Sequence, residues 1–191
     1  MFSIYFELGF EHITDFNGYD HILFLIALSA VYLLKDWKKV LILVTAFTIG
    51  HTVTLALASL RIINFSNDLI EFLIPVTIFI SAFSDFFYKE NNNKRLQNLK
   101  YILAMFFGLI HGLGFSNYLR ALIGREENIT LPLFAFNVGL ELGQIIIVIS
   151  YLVFASILVK YVKVPKRILI ILTAGTALII SLLLIIERFP K

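Results

Sequence analysis

Six apolar runs separated by short charged loops constrain the fold of this 191-residue chain more than any other feature. A helix needs roughly 20 predominantly apolar residues to cross a bilayer, and each run meets or approaches that length. We therefore predict an all-α fold, a polytopic membrane helix bundle forming a single integral membrane domain over residues 1–191. About six transmembrane helices are predicted, with spans near 18–35, 39–60, 69–88, 99–122, 131–159 and 166–187.

The stretch before the first span, residues 2–14, is predicted to be a short amphipathic or re-entrant segment. It opens with MFSIYFELGFEH, which is acidic where a secretory signal peptide would be cationic. We therefore do not expect a cleavable signal in this chain.

The composition agrees with a membrane protein. Hydrophobic residues make up 59% of the chain and charged residues only 15%, against about 25% charged in soluble domains. The net charge of +3 arises from basic residues at helix ends, so we expect contact with the lipid bilayer and no nucleic-acid binding. The absence of cysteine excludes disulfides, thiolate metal sites and cysteine nucleophiles.

The loops at 35–39, 89–100 and 160–167 share one side of the predicted bundle and hold eleven of the sixteen basic residues. The other side holds the remaining five and the acidic N-terminal segment. The positive-inside rule therefore predicts that both termini lie outside, which in a Gram-negative cell is the periplasm.

All four histidines lie in apolar surroundings that also contain acidic or amide side chains. Ionisable groups at membrane depth are costly, so they usually mark a buried site or a solute path. Imidazole and carboxylate without sulfur form the ligand set of a divalent transition metal such as Ni²⁺, Co²⁺ or Zn²⁺. The candidate metal ligands are His12, Asp15, Asp20, His21, His51, His111 and Glu141.

The first four candidates form an N-terminal cluster around a predicted turn at Asn17-Gly18. That turn would fold His12 and Asp15 back over Asp20 and His21. The alternative is an outer loop whose acids are simply solvated. An EF-hand is not supported, because the ligand spacing and terminal glutamate of that loop are missing.

The depth of the other three candidates in the membrane suggests that they meet the N-terminal cluster. Counted from the outer ends of their helices, His51, His111 and Glu141 all lie roughly 14–17 Å deep at about 1.5 Å per residue. We therefore expect one buried site that opens outward. A structural histidine remains the alternative for His51, and a proton carrier or a structural hydrogen bond for Glu141.

Other polar residues are expected around the metal or along its path. Thr48 belongs to a threonine stripe with Thr45 and Thr52 that the sequence places on one face with His51. In the third span Asp85 is either an inner exit group or a side chain that reaches the interface beside Lys89. The full set is Thr48, Asn137, Gln144, Glu71 and Asp85.

Two glycine pairs, Gly108/Gly112 and Gly139/Gly143, have the G-x-x-x-G spacing of closely packed membrane helices. Packing within the chain is the simplest interpretation. Formation of a homo-oligomer through either face is the alternative.

Four blocks in this order resemble the HupE/UreJ family of small bacterial membrane proteins: GFEHITDFNGYDHILFLIAL, TAFTIGHTVTLALASL, FGLIHGLGF and FNVGLELGQ. The resemblance implies a nickel or cobalt permease in the bacterial inner membrane. It also implies a metal role for the residues at the family's motif positions, which are His12, Asp20, His21, His51, His111 and Glu141. The third span departs from the family pattern around Pro75, Thr77, Ser84 and Asp85.

Two function classes follow. The first is a permease for Ni²⁺ or Co²⁺, with coupling to protons expected because metal ligands must lose protons to bind. The chain has no nucleotide-binding motif, which excludes self-contained ATP-driven transport. The second is an intramembrane hydrolase in which zinc or a metal pair activates water, since three protein ligands and an open position suit catalytic zinc. A metal sensor or an accessory subunit is the third option.

Overall fold

A computed structural model describes residues 1–16, 18–88, 94–123 and 129–190 of the protein. The described residues form α-helices joined by short connections, with one 3₁₀ turn at Leu34–Asp36. The helices are α1 (Phe2–Thr14), α2 (Tyr19–Ser29), α3 (Trp37–Ser59), α4 (Asn67–Phe86), α5 (Lys94–Ile123), α6 (Thr130–Lys160) and α7 (Lys166–Glu187). The predicted all-helical class is confirmed. Asn17 and most of the loops predicted around 89–95 and 124–128 lie outside the described residues.

Five helices in the described part are long and apolar enough to cross a membrane, so this is a multi-pass membrane protein. These spans are Leu34–Ser59, Asn67–Phe86, Lys94–Leu122, Thr130–Lys160 and Lys166–Glu187. They match the second to sixth predicted spans to within a few residues. The first predicted span, 18–35, is different, because α2 has only 11 residues and is too short to cross a bilayer alone.

Helices α1 and α2 together cover the length that one long helix would cover. α1 runs beside α6 in the same direction and stops about halfway along it. The chain after α2 reaches the second half of α6. The contacts advance along α6 in order: Phe2 with Phe134, a Cβ on Gly139 with Phe6, Gly143 with Ile13, Tyr151 with Ala30 and Ser156 with Leu34.

Phe2 and Phe189, which are close to the two termini, lie at the same end of the bundle. The Phe2 ring lies 6.4 Å from that of Phe134, near the start of α6. The Phe189 ring lies 5.5 Å from that of Phe72, near the start of α4. We term this end the terminal side and the other end the opposite side.

Glycines set the closest helix contacts. A Cβ on Gly50 of α3 would lie 2.0 Å from the carbonyl oxygen of Met105 on α5, and one on Gly108 would lie 2.1 Å from that of Phe47. Only glycine permits such backbone approach. Gly139 packs in the same way against the backbone of Phe6 on α1, whereas Gly143 packs against the side chain of Ile13. Both predicted glycine faces are therefore used within the chain, which corrects the alternative of an oligomer interface at either face.

Helix α2 lies between α4, α6 and α7. Its apolar side chains Phe24, Leu25 and Ala27 are almost completely buried, because neighbouring helices surround it. The first turn of α2 contains Asp20 and His21, so the packing of α2 places this charged pair inside the bundle.

Candidate metal centre

Four helices each contribute one histidine to the terminal half of the bundle. The ring centroids of His12 on α1 and His21 on α2 are 4.6 Å apart. His21 lies 5.3 Å from His111 on α5, and His12 lies 6.2 Å from His51 on α3. We term these four side chains the histidine cluster. The structure thus brings together all four histidines of the chain.

The glycines of α5 bring His51 to this position. A Cβ on Gly108 would lie 3.0 Å from the backbone nitrogen of His51, and one on Gly112 would lie 2.3 Å from its carbonyl oxygen. The backbone of α3 therefore lies directly against α5 on both sides of His111. A larger residue at either position would separate the helices that carry two of the four histidines.

Most ring nitrogens of the histidine cluster are buried and have no hydrogen-bond partner among the described residues. Apart from Nδ1 of His21, which lies 3.1 Å from Oδ1 of Asp20, these atoms are Nε2 of His12, Nε2 of His21, Nδ1 and Nε2 of His51, and Nδ1 of His111. Buried polar groups in proteins are nearly always hydrogen-bonded, so each exception needs an explanation. Five such atoms in one place indicate that the cluster is arranged for something other than internal hydrogen bonding.

Asp20 adds a carboxylate beside the cluster. Its Oδ1 accepts a hydrogen bond from the backbone N–H of His21 at 2.9 Å and lies 3.1 Å from Nδ1 of the same residue. Its Oδ2 accepts from Nη1 of Arg188 at 3.3 Å. Arg188 also donates to the carbonyl oxygen of Glu71. The charge of Asp20 is therefore compensated by a cation from the end of the chain.

His111 is tied to α4 by a single side chain. Its Nε2 lies 2.9 Å from the hydroxyl oxygen of Thr77, which also donates to the carbonyl oxygen of Ile74. A hydroxyl that donates its proton to a carbonyl accepts from the ring, so Nε2 carries the proton and Nδ1 keeps a free lone pair. The bond orients the imidazole so that Nδ1 is its available ligand atom.

A cavity of about 660 Å³ reaches the cluster from the terminal side, where its lining includes Glu71 and Arg188. His12, Asp20, His21 and His111 line it, while His51 lies behind them and is fully buried. The rim carries three exposed acids, Glu11, Asp15 and Glu71. The cavity thus leads from an acidic rim to buried imidazoles.

Phenylalanine rings pack around the histidine cluster. The ring of Phe115 lies 4.1 Å from His12, and that of Phe136 lies 6.2 Å from His51. Phe24 and Phe47 lie 5.0 Å and 5.2 Å from His111. These apolar rings lower the local dielectric constant, which strengthens electrostatic interactions at the site.

Glu141 lies in a different place, which corrects the expectation that it joins the histidines. Its Oε1 accepts a hydrogen bond from the Thr45 hydroxyl at 2.7 Å. Two further bonds between α3 and α6 continue the row, from Thr48 to Gln144 at 2.8 Å and from Thr52 to Asn137 at 2.7 Å. Glu141, the three threonines and Asn137 line a separate groove of about 630 Å³. The two sets occupy different faces of α3, and Glu141 bonds Thr45, six residues before His51 on that helix.

Asp85 lies towards the opposite side, away from the histidine cluster. Its side chain is 4% exposed, and its Oδ1 is 3.7 Å from Nζ of Lys100. Lys89, its predicted neighbour, lies outside the described residues. Asp85 therefore pairs with a lysine of α5 inside the bundle.

The side chains as they stand do not form a finished metal site. Among the described residues, no three His, Asp or Glu side chains are placed to hold one ion together. Coordination would require ring rotations that bring the free nitrogens towards a common point. The cavity lies directly beside three of these rings, those of His12, His21 and His111.

Comparison with known families agrees with this architecture. A family model described as HupE / UreJ protein matches residues 1–188. The chain belongs to the HupE/UreJ family. This membership supports a role in metal transport for this membrane protein. No curated protein and no solved structure matches the chain.

In this HupE/UreJ protein, sequence reasoning missed three residues that shape the site. Arg188 pairs with Asp20 although 168 positions separate them, and no local pattern signals such a contact. Glu11 joins the acidic rim one residue before His12, and its charge could have suggested that role. Thr77 was noted only as a departure from the family pattern, yet it orients His111.

Proposed function

We propose that this protein is a permease for a divalent transition metal, Ni²⁺ or Co²⁺, and that the histidine cluster binds the metal during transport. The observation that carries the proposal is the set of five buried, unpartnered ring nitrogens from four helices. A metal ion is a partner that several imidazoles can share without hydrogen bonds.

The donor set selects the class of ion. Imidazole nitrogens suit nickel, cobalt and zinc, whereas calcium and magnesium prefer cages of oxygen ligands. Metal–imidazole bonds are about 2.0–2.1 Å long, so ligand nitrogens of one ion lie within about 4.2 Å of each other. Ring centroids lie behind their nitrogens and are farther apart. The separations of 4.6–6.2 Å therefore agree with rings grouped around one or two ions.

The acidic residues at the rim of the cavity carry out the first step of transport, which is attraction of the metal ion. Glu11, Asp15 and Glu71 give the mouth of the cavity a negative potential that concentrates cations. Asp20 lies next along the cavity, where an arriving cation competes with Arg188 for its carboxylate. The histidine cluster then replaces water ligands with imidazoles.

A metal-dependent hydrolase is the second candidate, because the cavity opens on one side and histidine ligands suit catalytic zinc.

A measurement of Co²⁺ flux across a membrane distinguishes the permease from the hydrolase. Purified protein in liposomes that enclose a Co²⁺-quenched dye should accumulate Co²⁺, while the double variant His21→Ala/His111→Ala should match empty liposomes. Mg²⁺ should not enter. Tight Co²⁺ binding without accumulation under any ion gradient would overturn the permease and favour the hydrolase, sensor or accessory roles.

We further propose that the protein lies in the bacterial inner membrane with both termini in the periplasm. Support comes from the described basic residues, ten of which lie at or near the opposite side: Lys35, Lys38, Lys39, Lys94, Arg95, Lys100, Lys160, Lys163, Lys166 and Arg167. By the positive-inside rule that side faces the cytoplasm. The histidine cavity would then open to the periplasm.

Single cysteines test this orientation, because the chain has none of its own. Asn64 and Lys163 are exposed and lie in connections at the two ends of the bundle. In intact spheroplasts, an impermeant maleimide should label Asn64→Cys and leave Lys163→Cys unlabelled until the membrane is opened. The reverse pattern would place the cavity on the cytoplasmic side.

A further inference from the structure

The pocket around Asp85 contains a buried carboxylate with an unused oxygen. Oδ2 of Asp85 is buried and has no hydrogen-bond partner among the described residues. Among the described residues, Oδ1 is paired with the ammonium of Lys100 at 3.7 Å. The side chain lines a small cavity of about 50 Å³ together with Ser81 and Ser84. This volume exceeds the roughly 10–15 Å³ that one water requires, so an ion with a water ligand fits.

Lys100 is held near Asp85 in a way that permits it to leave. Its Nζ lies 5.0 Å from the ring centre of Tyr88 and 5.5 Å from that of Tyr32, while its side chain is 30% exposed. Aromatic faces attract the ammonium without fixing it as a close ion pair does. The flexible stem of lysine reaches solvent easily. Lys100 can therefore exchange with another cation at Asp85.

One face of α4 connects this pocket with the histidine cluster. Thr77, Ser81 and Asp85 are buried and follow at intervals of four residues, which places them in one row. Thr77 contacts His111 at 2.9 Å. From Thr77 to Asp85 the row covers about 12 Å at the rise of an α-helix. It leads from the inner end of the histidine cluster towards the opposite side.

An aromatic barrier closes this route. The ring of Phe24 lies 4.9 Å from that of Phe47 and 6.1 Å from that of Phe107. Phe24 and Phe47 also contact His111, whereas Phe107 lines the Asp85 pocket. All three are at most 5% exposed. Apolar constrictions of this kind stop ions by excluding water.

We propose that the Asp85 pocket is a second cation site, which receives the metal from the histidine cluster across the phenylalanine barrier when Lys100 moves away. The proposal rests on the transport function proposed above. The site offers oxygen ligands, a carboxylate and serine hydroxyls, in place of imidazoles. Oxygen ligands hold nickel and cobalt less well than imidazoles do, so the second site favours release on the opposite side.

The test combines Co²⁺ binding in detergent with Co²⁺ uptake by proteoliposomes. Lys100→Met keeps the length of the side chain and removes the competing charge, so this variant should bind one Co²⁺ equivalent more than the parent. The double variant Asp85→Asn/Lys100→Met contains no unpaired charge and should lose that extra equivalent. Its affinity at the histidine cluster should stay at the parent value, while uptake falls about tenfold or more.

A matched control is available on the same side. Asp36 and Lys39 form an ion pair at 3.0 Å near the start of α3, outside the pocket. Asp36→Asn/Lys39→Met should leave uptake unchanged. Parent-like uptake by the Asp85→Asn/Lys100→Met protein, or no extra equivalent in Lys100→Met, would overturn the second site alone. A parent protein that binds no Co²⁺, or binds Co²⁺ without transporting it, would instead contradict the proposed function.

Discussion

Replacing His51 with leucine should weaken Co²⁺ binding by about 100-fold or more without lowering the thermal stability of the metal-free protein. Changes to groups that only support a metal ligand already reduce affinity by about 10–100-fold, and loss of a ligand should reduce it at least as much. Both ring nitrogens of His51 are buried without partners among the described residues. Leucine removes two unsatisfied polar atoms, and such a replacement is neutral or stabilising.

Measuring both Co²⁺ affinity and thermal stability distinguishes a metal ligand from a structural histidine. If His51 were structural, His51→Leu would lower the unfolding temperature and change metal affinity little. Glu141→Gln provides the control, because its carboxylate bonds Thr45 in the groove between α3 and α6 and lies away from the cavity. Titration calorimetry should give this variant the parent affinity. Equal losses in His51→Leu and Glu141→Gln would return Glu141 to the metal site.

Gly108→Ala should destabilise the bundle by about 1–3 kcal/mol or more, the usual cost of overpacking a tight core. The added Cβ would lie 2.1 Å from the carbonyl oxygen of Phe47, so α3 and α5 must move apart. Because His51 and His111 lie on these helices, Co²⁺ affinity should fall as well.

Gly175→Ala is the matched control for this prediction. The nearest atom to its added Cβ is the end of the Phe86 ring at 3.9 Å, an ordinary contact. Thermal unfolding in detergent should show a lower midpoint for Gly108→Ala and an unchanged or higher one for Gly175→Ala. Equal midpoints for the two variants would mean that the glycine contact does not hold α3 against α5.

Much of the fold follows from the apolar runs. The hydrophobic length of a span is a local property, so the sequence predicts α3 to α7 to within a few residues. The division of the first crossing between α1 and α2 is less local. It depends on the packing of α1 against Gly139 and Gly143 of α6, which hydropathy does not record.

The direction in which each candidate side chain points could not be predicted from its position along its helix. Counting residues from helix ends places His51, His111 and Glu141 at one level, because the rise per residue is fixed. Which helix face meets which neighbour depends on packing between distant segments. The His51 ring therefore lies beside His12 of α1 and Phe136 of α6, whereas Thr45 of the same helix bonds Glu141 further along α6. The contact of Arg188 with Asp20 could not be predicted either, because it also depends on packing between distant segments.

The most direct measurement of the central claim is X-ray absorption spectroscopy of the Co²⁺-loaded protein. If the histidine cluster binds the transported metal, the spectrum should show nitrogen ligands at about 2.0–2.1 Å and the outer scattering of several imidazole rings. The imidazole signal should fall in His51→Leu and persist in Glu141→Gln. A shell made of oxygen ligands alone, without imidazole scattering, would contradict the account.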